Sequence, residues 1–263
     1  MAVRDRSPLQ VAGHVAGAAV ARARGTYSRA SEAFRRRRVL GKVVTVKDMQ
    51  AEGPEFERLR RVIRESGTDS LSQFQNGYTH EGGLSLQQNP DEFAALCRFL
   101  KLRGPYTTYL EIGTASGGAA LLLSREVGFD RAISIDDGQH LRAPEQKVNL
   151  ATIPGVRQFV GDSHSAAAGA FLQEALQGSP IDLAFVDGDH STEGVWQDIE
   201  LTLRFCRPGS LLIFHDTKAC EGVELAWLRV AREGMVKPIA EFVGEYLPLG
   251  IGVGRVSSSP AGK

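Results

Sequence analysis

TTYLEIGTASGGAALLLSREV, Thr107 to Val127, runs from a short apolar segment through a glycine-rich turn into a helix-length apolar stretch. A short apolar run that stops at a glycine reads as a strand covered on both faces. Gly113 lets the chain turn sharply, while Gly117 and Gly118 let a ligand approach the backbone as the next helix begins. The alternation then recurs four times: RAISID before APEQKVNLATI, VRQFVGD before HSAAAGAFLQEAL, IDLAFVD before TEGVWQDIELTLRFC, and SLLIFHD before CEGVELAWLRVAREG. Five strands alternating with helices predict right-handed βαβ crossovers and an α/β sheet, mostly parallel, with helices on both faces. KPIAEFVG and LGIGVGRV follow with only EYLP between them, which predicts a C-terminal antiparallel hairpin at one edge and seven strands in all.

Working outward, Pro90-Asp91 opens a predicted helix, DEFAALCRFL, with Phe93, Leu96, Cys97 and Leu100 on one face. Residues 1–89 read as a helical and loop-rich extension, 90–256 as the α/β domain and 257–263 as a disordered tail, with Ser66 to Gln88 a mobile segment able to close as a lid. The 263 residues are 42% apolar and 24% charged, enough for a sizeable core, and no apolar run is long enough to span a bilayer. PLQVAGHVAGAAV follows Arg4 and Arg6, but Asp5, His14 and two glycines argue against a secretion signal; Ser7-Pro8 reads as the start of a short helix. Cys97, Cys206 and Cys220 are odd in number and lack CxxC spacing, which predicts reduced thiols and a cytoplasmic protein.

The net charge is zero, yet residues 1–47 hold nine arginines and two lysines against Asp5 and Glu32, a net of +9 that leaves −9 on the remainder. Such asymmetry can mark a polyanion-binding arm, especially at Arg35–Arg38. No aromatic interleaving or base-reading motif accompanies it, so the arm reads as a helix docked on an acidic body, its own or that of a second copy in a homo-oligomer, and nucleic acid is not the expected partner.

In open α/β sheets ligands bind beyond the carboxyl ends of the strands. Gly113-x-Ala115-x-x-Gly118 could pass for a variant dinucleotide fingerprint, which keeps a nicotinamide-dependent oxidoreductase as an alternative. Two features favour another ligand. Glu111 precedes the first glycine by two residues and suits a cationic amino group. In addition, Glu111, Asp136-Asp137, Asp162-Ser163, Asp187 and Asp216 end the five strands, an acidic rim that would repel a pyrophosphate. Asp136 lies 25 residues after Glu111, where a carboxylate can accept from a ribose diol.

EIGTASGG, SIDD, GDS, FVDGDH and LLIFHD in this order, closed by the hairpin, resemble the class I S-adenosylmethionine-dependent methyltransferases, Rossmann-like in fold, over roughly Leu84 to Val256. The closer likeness is to small-molecule O-methyltransferases, including those that act on sugars in natural-product biosynthesis, whose fourth and fifth strands end in DGDHxxEGV and an HD or ED pair. The resemblance implies that Glu111, Gly113, Thr114, Ser116 and Gly117 line the methionine part of S-adenosylmethionine. Asp136 and Asp137 would hold the ribose, Asp162 and Ser163 the adenine, and Asp187 would sit by the sulfur.

Asp187 ends the fourth strand and Asp216 the fifth. Neighbouring strands lie about 4.8 Å apart, so the two carboxylates can share a divalent cation such as Mg²⁺. His215 stands where metal-dependent relatives often carry an acid, which would shift the preference toward Mn²⁺ or a softer ion. His190, three residues beyond Asp187, is the candidate general base for a hydroxyl of a sugar, glycoside or phenol, and Asp189 reads as a turn residue. A polyanion-binding protein or RNA methyltransferase using the basic arm is the remaining alternative.

Overall fold

The structure, a computed structural model, describes residues 36–51, 53–67 and 83–258. The chain divides between Lys42 and Val43; of the first part only 36–42 are described, and 36–40 are helical. The basic arm up to Arg35, His14, the lid residues 68–82 with Tyr78 and His80, and residues 259–263 lie outside the described residues.

From Val43 onward the elements are α1 (Val46–Ala51), α2 (Pro54–Glu65), α3 (Pro90–Lys101), β1 (Thr108–Ile112), α4 (Gly118–Glu126), β2 (Arg131–Asp136), α5 (Ala143–Ala151), β3 (Arg157–Val160), α6 (Ala166–Leu176), β4 (Ile181–Val186), α7 (Thr192–Leu203), β5 (Cys206–Phe214), α8 (Glu221–Arg232), β6 (Val236–Phe242) and β7 (Ile251–Val256). They build one seven-stranded sheet in the order β3-β2-β1-β4-β5-β7-β6. The first five strands are parallel, and β7 pairs antiparallel with both β5 and β6. The hairpin therefore sits at one edge, as expected, with its second strand inserted against β5.

The outer strand β6 carries Pro238 and a register shift between Pro238 and Ala240, and Val44 bridges to Ala240. Proline, bulge and bridge together blunt the edge against further pairing. At the other end, β5 begins four residues before the predicted SLLIF run, because Ile181 pairs with Cys206 across an irregularity in the ladder.

On one face of the sheet Tyr109, Leu183, Phe185, Leu211 and Ile213 pack with residues of α1 to α4. On the other, Phe214 meets Trp227 of α8 at 5.1 Å between ring centroids, above buried Val195 and Ile199 of α7. The helix expected to be amphipathic, α3, is buried nearly all round: Glu92, Ala94, Ala95 and Phe99 join the four expected positions. Phe56, Leu59 and Ile63 of α2 belong to the same core and cover what would otherwise be its solvent side. Asn89 caps α3 by accepting from the amides of Asp91 and Glu92 ahead of Pro90 at its first turn.

Candidate active site

The parallel ladder continues one hydrogen bond past each strand. Gly113 N donates to Ile135 O, Asp187 N to Ile112 O, His215 N to Val186 O and Gly161 N to Asp136 O, at 2.8–3.2 Å. These bonds bring the five strand ends to one level, so the polar residues that follow converge on one cavity of about 1330 Å³. Glu111, Asp136, Asp187, His190, His215 and Asp216 all line it. So do Gly113, Thr114, Ser116, Asp137, Asp162 and Ser163, whereas Gly117 stands just behind the lining at the start of α4. The absence of a side chain at Gly113 is required: with φ 83° its Cβ would lie 2.0 Å from the carbonyl oxygen of Asp187.

The β1–β3 end is held together by hydrogen bonds already made. Thr114 Oγ1 and Ser134 Oγ are 2.7 Å apart; Ser116 Oγ donates to Leu84 O at 2.7 Å. The two carboxylate oxygens of Asp136 accept from Ala115 N and Gly138 N, each at 2.8 Å, which fixes the turn after β1 against the end of β2. Ala115 sits at φ 48°, left-handed without being glycine, in the middle of that turn. Asp137 is exposed and accepts from Gln139 N. Asp162 accepts from His164 N, and Ser165 caps α6. Glu111 stands apart: it is 2% exposed, and its Oε2 has no partner. Burial, reinforced by the charge of Asp187, pushes its carboxyl well above the usual carboxylate range.

The β4–β5 end is a cluster of titratable groups. His215 Nδ1 lies 3.0 Å from Asp187 Oδ1 and 3.4 Å from Asp216 Oδ1, while His190 Nε2 lies 3.4 Å from Asp187 Oδ1 and 3.6 Å from Asp216 Oδ2. Asp216 reaches this position from a left-handed backbone, φ 60°. Burial alone would lower His215, but the charges of Asp187 and Asp216 outweigh it and push its pKa up to about 9. His190 is raised by its hydrogen bond to Asp187. Burial works to raise Asp187, yet the two histidines hold it below the usual range, whereas burial leaves Asp216 raised. One donor atom from each of Asp187, His215 and Asp216 falls within 4.8 Å of the others, and the same holds for His190, Asp216 and Cys220. Asp189 also lines the cavity, accepts from Ser191 N at 2.7 Å and lies under Gly194.

Three supporting residues escaped the sequence reading. Asp198 of α7, fully buried, accepts from Ser163 Oγ at 2.6 Å and lies 3.2 Å from His164 Nε2. A methyl group on Gly188 would come within 2.8 Å of its other oxygen, so Asp198 joins the turns after β3 and β4. Glu92 of α3 accepts from Gly244 N at 2.7 Å and Gly250 N at 2.8 Å, and Asn89 Nδ2 donates to Tyr246 O and Leu247 O. These bonds fasten both ends of the β6–β7 loop, whose residues 246–249 wall the cavity beside Asp216. The signal for Asp198 and Glu92 was a charged residue on the apolar side of a helix, legible only in retrospect.

A methyltransferase-domain family model matches residues 110–217. The uncharacterized protein R132 of Acanthamoeba polyphaga mimivirus is 25% identical over 150 residues, 54% of this chain and 63% of that protein, so the match spans less than two thirds of that relative. Among solved structures, an O-methyltransferase from Bacillus cereus in complex with S-adenosylhomocysteine superposes with a TM-score of 0.52 at 18% identity, covering 78% of this chain and 93% of that one. TomG of Streptomyces achromogenes, an O-methyltransferase involved in tomaymycin synthesis, solved with S-adenosylmethionine, gives 0.50 at 19% identity over 78% and 90%. At such identities the likeness is one of fold. Residues 110–217 thus resemble a methyltransferase domain, and the sheet they anchor has the Rossmann-like fold seen in these solved methyltransferases.

Proposed function

We propose that the protein transfers the methyl group of S-adenosylmethionine to a hydroxyl of a small neutral molecule such as a sugar, glycoside or phenol. One observation carries the reading: a single cavity joins a hydrogen-bonded rim at β1–β3 to a cluster of two aspartates and two histidines at β4–β5. Its volume of about 1330 Å³ exceeds the usual range for one ligand, leaving room for cofactor and acceptor together. No lysine or arginine lines it among the described residues, which disfavours the pyrophosphate of a nicotinamide dinucleotide and an anionic acceptor alike.

The site fits the cofactor on the side of its own residues. The unpartnered Oε2 of Glu111 suits a cationic amino group, and Asp136, held rigid by two amides, keeps lone pairs for a ribose diol. Asp162 and Ser163 at the rim complete the adenine side. When bound, the cofactor supplies an electrophilic methyl carbon on a sulfonium.

On the acceptor side His190 takes the hydroxyl proton at Nδ1, and Asp187, 3.4 Å from Nε2, orients the ring and stabilises the imidazolium that forms. Asp187, His215 and Asp216 also fit a divalent cation, since the Oδ1 of Asp216 is buried with no hydrogen-bond partner and faces the other two donors. Mg²⁺ or Mn²⁺ held there would lower the pKa of the acceptor hydroxyl. His215 would then ligate in neutral form. The reading includes a homo-oligomer formed through the N-terminal extension, supported by the opposed charges of arm and body.

Calorimetric titration with S-adenosylhomocysteine and with NADH tests the cofactor, followed by a screen of hydroxylated acceptors with labelled methyl donor, with and without EDTA. Micromolar binding of the dinucleotide but not of the thioether overturns the reading. Full turnover in EDTA removes the cation and leaves His190 at the centre.

A further inference from the structure

A second donor set lies on the acceptor side of the cavity, and the reaction proposed above does not use it as a set. Cys220, the N-cap residue of α8, places its sulfur 3.5 Å from His190 Nδ1 and 3.8 Å from Asp216 Oδ2. His190 Nε2 is 3.6 Å from the same Asp216 oxygen. Around a tetrahedral zinc with bonds of about 2.0–2.3 Å to nitrogen, oxygen and sulfur, neighbouring donors stand about 3.3–3.7 Å apart. The sulfur already stands close to such distances from His190 Nδ1 and Asp216 Oδ2, one donor atom of each residue lies within 4.8 Å of the others, and all three residues line the cavity, so an ion can reach them. The set also differs in kind from Asp187, His215 and Asp216. It contains a sulfur and an imidazole whose side chain is 39% exposed, a combination that selects borderline and soft cations over Mg²⁺.

We propose that His190, Asp216 and Cys220 form an inhibitory site for a thiophilic divalent cation of the Zn²⁺ class, with the cavity side left open for a water ligand. Binding forms a metal–sulfur bond and releases the thiol proton of Cys220 to solvent, without any change of oxidation state. The ion occupies the lone pair with which His190 would accept the hydroxyl proton, and it takes a carboxylate oxygen of Asp216. Asp216 belongs to both sets, but only the soft ion also gains the Cys220 thiolate, so zinc displaces Mg²⁺ and blocks turnover whether or not Mg²⁺ is present. The inhibitory consequence rests on His190 being the base; the binding site itself does not.

The test uses the full chain stripped of metal by a chelator. Titration with Co²⁺ as the spectroscopic stand-in should saturate at one equivalent, with a thiolate-to-cobalt charge-transfer band and tetrahedral d–d absorption. One equivalent of Zn²⁺ should bleach both, and excess Mg²⁺ should leave the charge-transfer band in place. Cys220→Ser should abolish that band, and both Cys220→Ser and His190→Gln should weaken Zn²⁺ by about 100-fold, at least the loss seen when a ligand's support is removed. S-adenosylhomocysteine binding in each variant reports that it is folded. A missing band in the parent protein, or a band that survives in Cys220→Ser and so belongs to Cys97 or Cys206, overturns the site. A cobalt band without zinc inhibition of methyl transfer would uphold the site and overturn its link to His190.

Discussion

The two ends of the cavity are built on opposite plans. At β1–β3 almost every polar side chain has its partner within the protein: Thr114 with Ser134, Ser116 with Leu84, Asp136 with two amides, Ser163 with Asp198. At β4–β5 two carboxylates and two imidazoles crowd within 3.0–3.6 Å, each pushed from its ordinary pKa by burial and by the others. A cradle for a large ligand gains from rigidity, because hydrogen bonds made before binding need not be ordered during it. On the proposed reading the cluster handles a proton, which needs groups whose charge can change at modest cost. The division is not absolute, since Gly113 of the first half touches the backbone of Asp187 in the second.

The sharpest separation comes from Asp187→Ala. Turnover should fall by about a thousandfold through loss of the proton-handling cluster, while S-adenosylhomocysteine affinity, measured calorimetrically, stays within about tenfold. An equal loss in both would mean that the halves are one unit.

Next in size is a pH effect confined to the acceptor side. Burial holds Glu92 up to about 7 against the amides of Gly244 and Gly250, which lower it. A carboxyl raised in the folded state binds its proton more tightly there than in the unfolded chain. Stability is therefore greatest below the ordinary pKa of about 4.5 and declines by about 3 kcal/mol as pH rises toward 7. His215, raised to about 9, adds a decline of the same sign between about pH 6.5 and 9. Denaturant melts across pH 5–7.5 should show a steeper decline in the parent than in Glu92→Gln, although that variant starts from a lower stability because one glycine amide loses its acceptor.

Gly113→Ala tests the point where the halves touch. Left-handed strain and the clash with Asp187 O should together cost about 2 kcal/mol, and cofactor affinity and turnover should decline together. A change in affinity alone would show that the turn can shift without moving β4. The smallest effect belongs to Ser163→Ala, which leaves the buried Asp198 carboxylate short of a donor. Stability should drop by about 1 kcal/mol and the S-adenosylhomocysteine Kd rise, with the pH profile of turnover unchanged. A displaced pH profile would place Asp198 in communication with the cluster through Gly188.

Much of this was legible in the residues. Apolar runs ending in glycine or aspartate gave the strands and their parallel pairing, because strands buried on both faces need continuous apolar sequence. The same endings marked Glu111, Asp136, Asp187 and Asp216, since a parallel sheet brings the residue after each strand to one edge. What stayed hidden depends on contacts between segments distant in sequence. Glu92 reaches Gly244 and Gly250 across some 150 residues, and Asp198 reaches Ser163 from another helix. A charged residue within an apolar helix carries no address in its own neighbourhood. Periodicity likewise assigned α3 one buried face, and only the packing of α2 against it buried the rest. The sequence alone therefore determined the order of strands and helices and the chemistry at the strand tips, which follow from local apolar pattern and turn residues. Tertiary structure decided which tips approach within hydrogen-bonding distance, how their charges shift one another, and that Cys220 joins His190 and Asp216, because those depend on register and burial that no local pattern encodes.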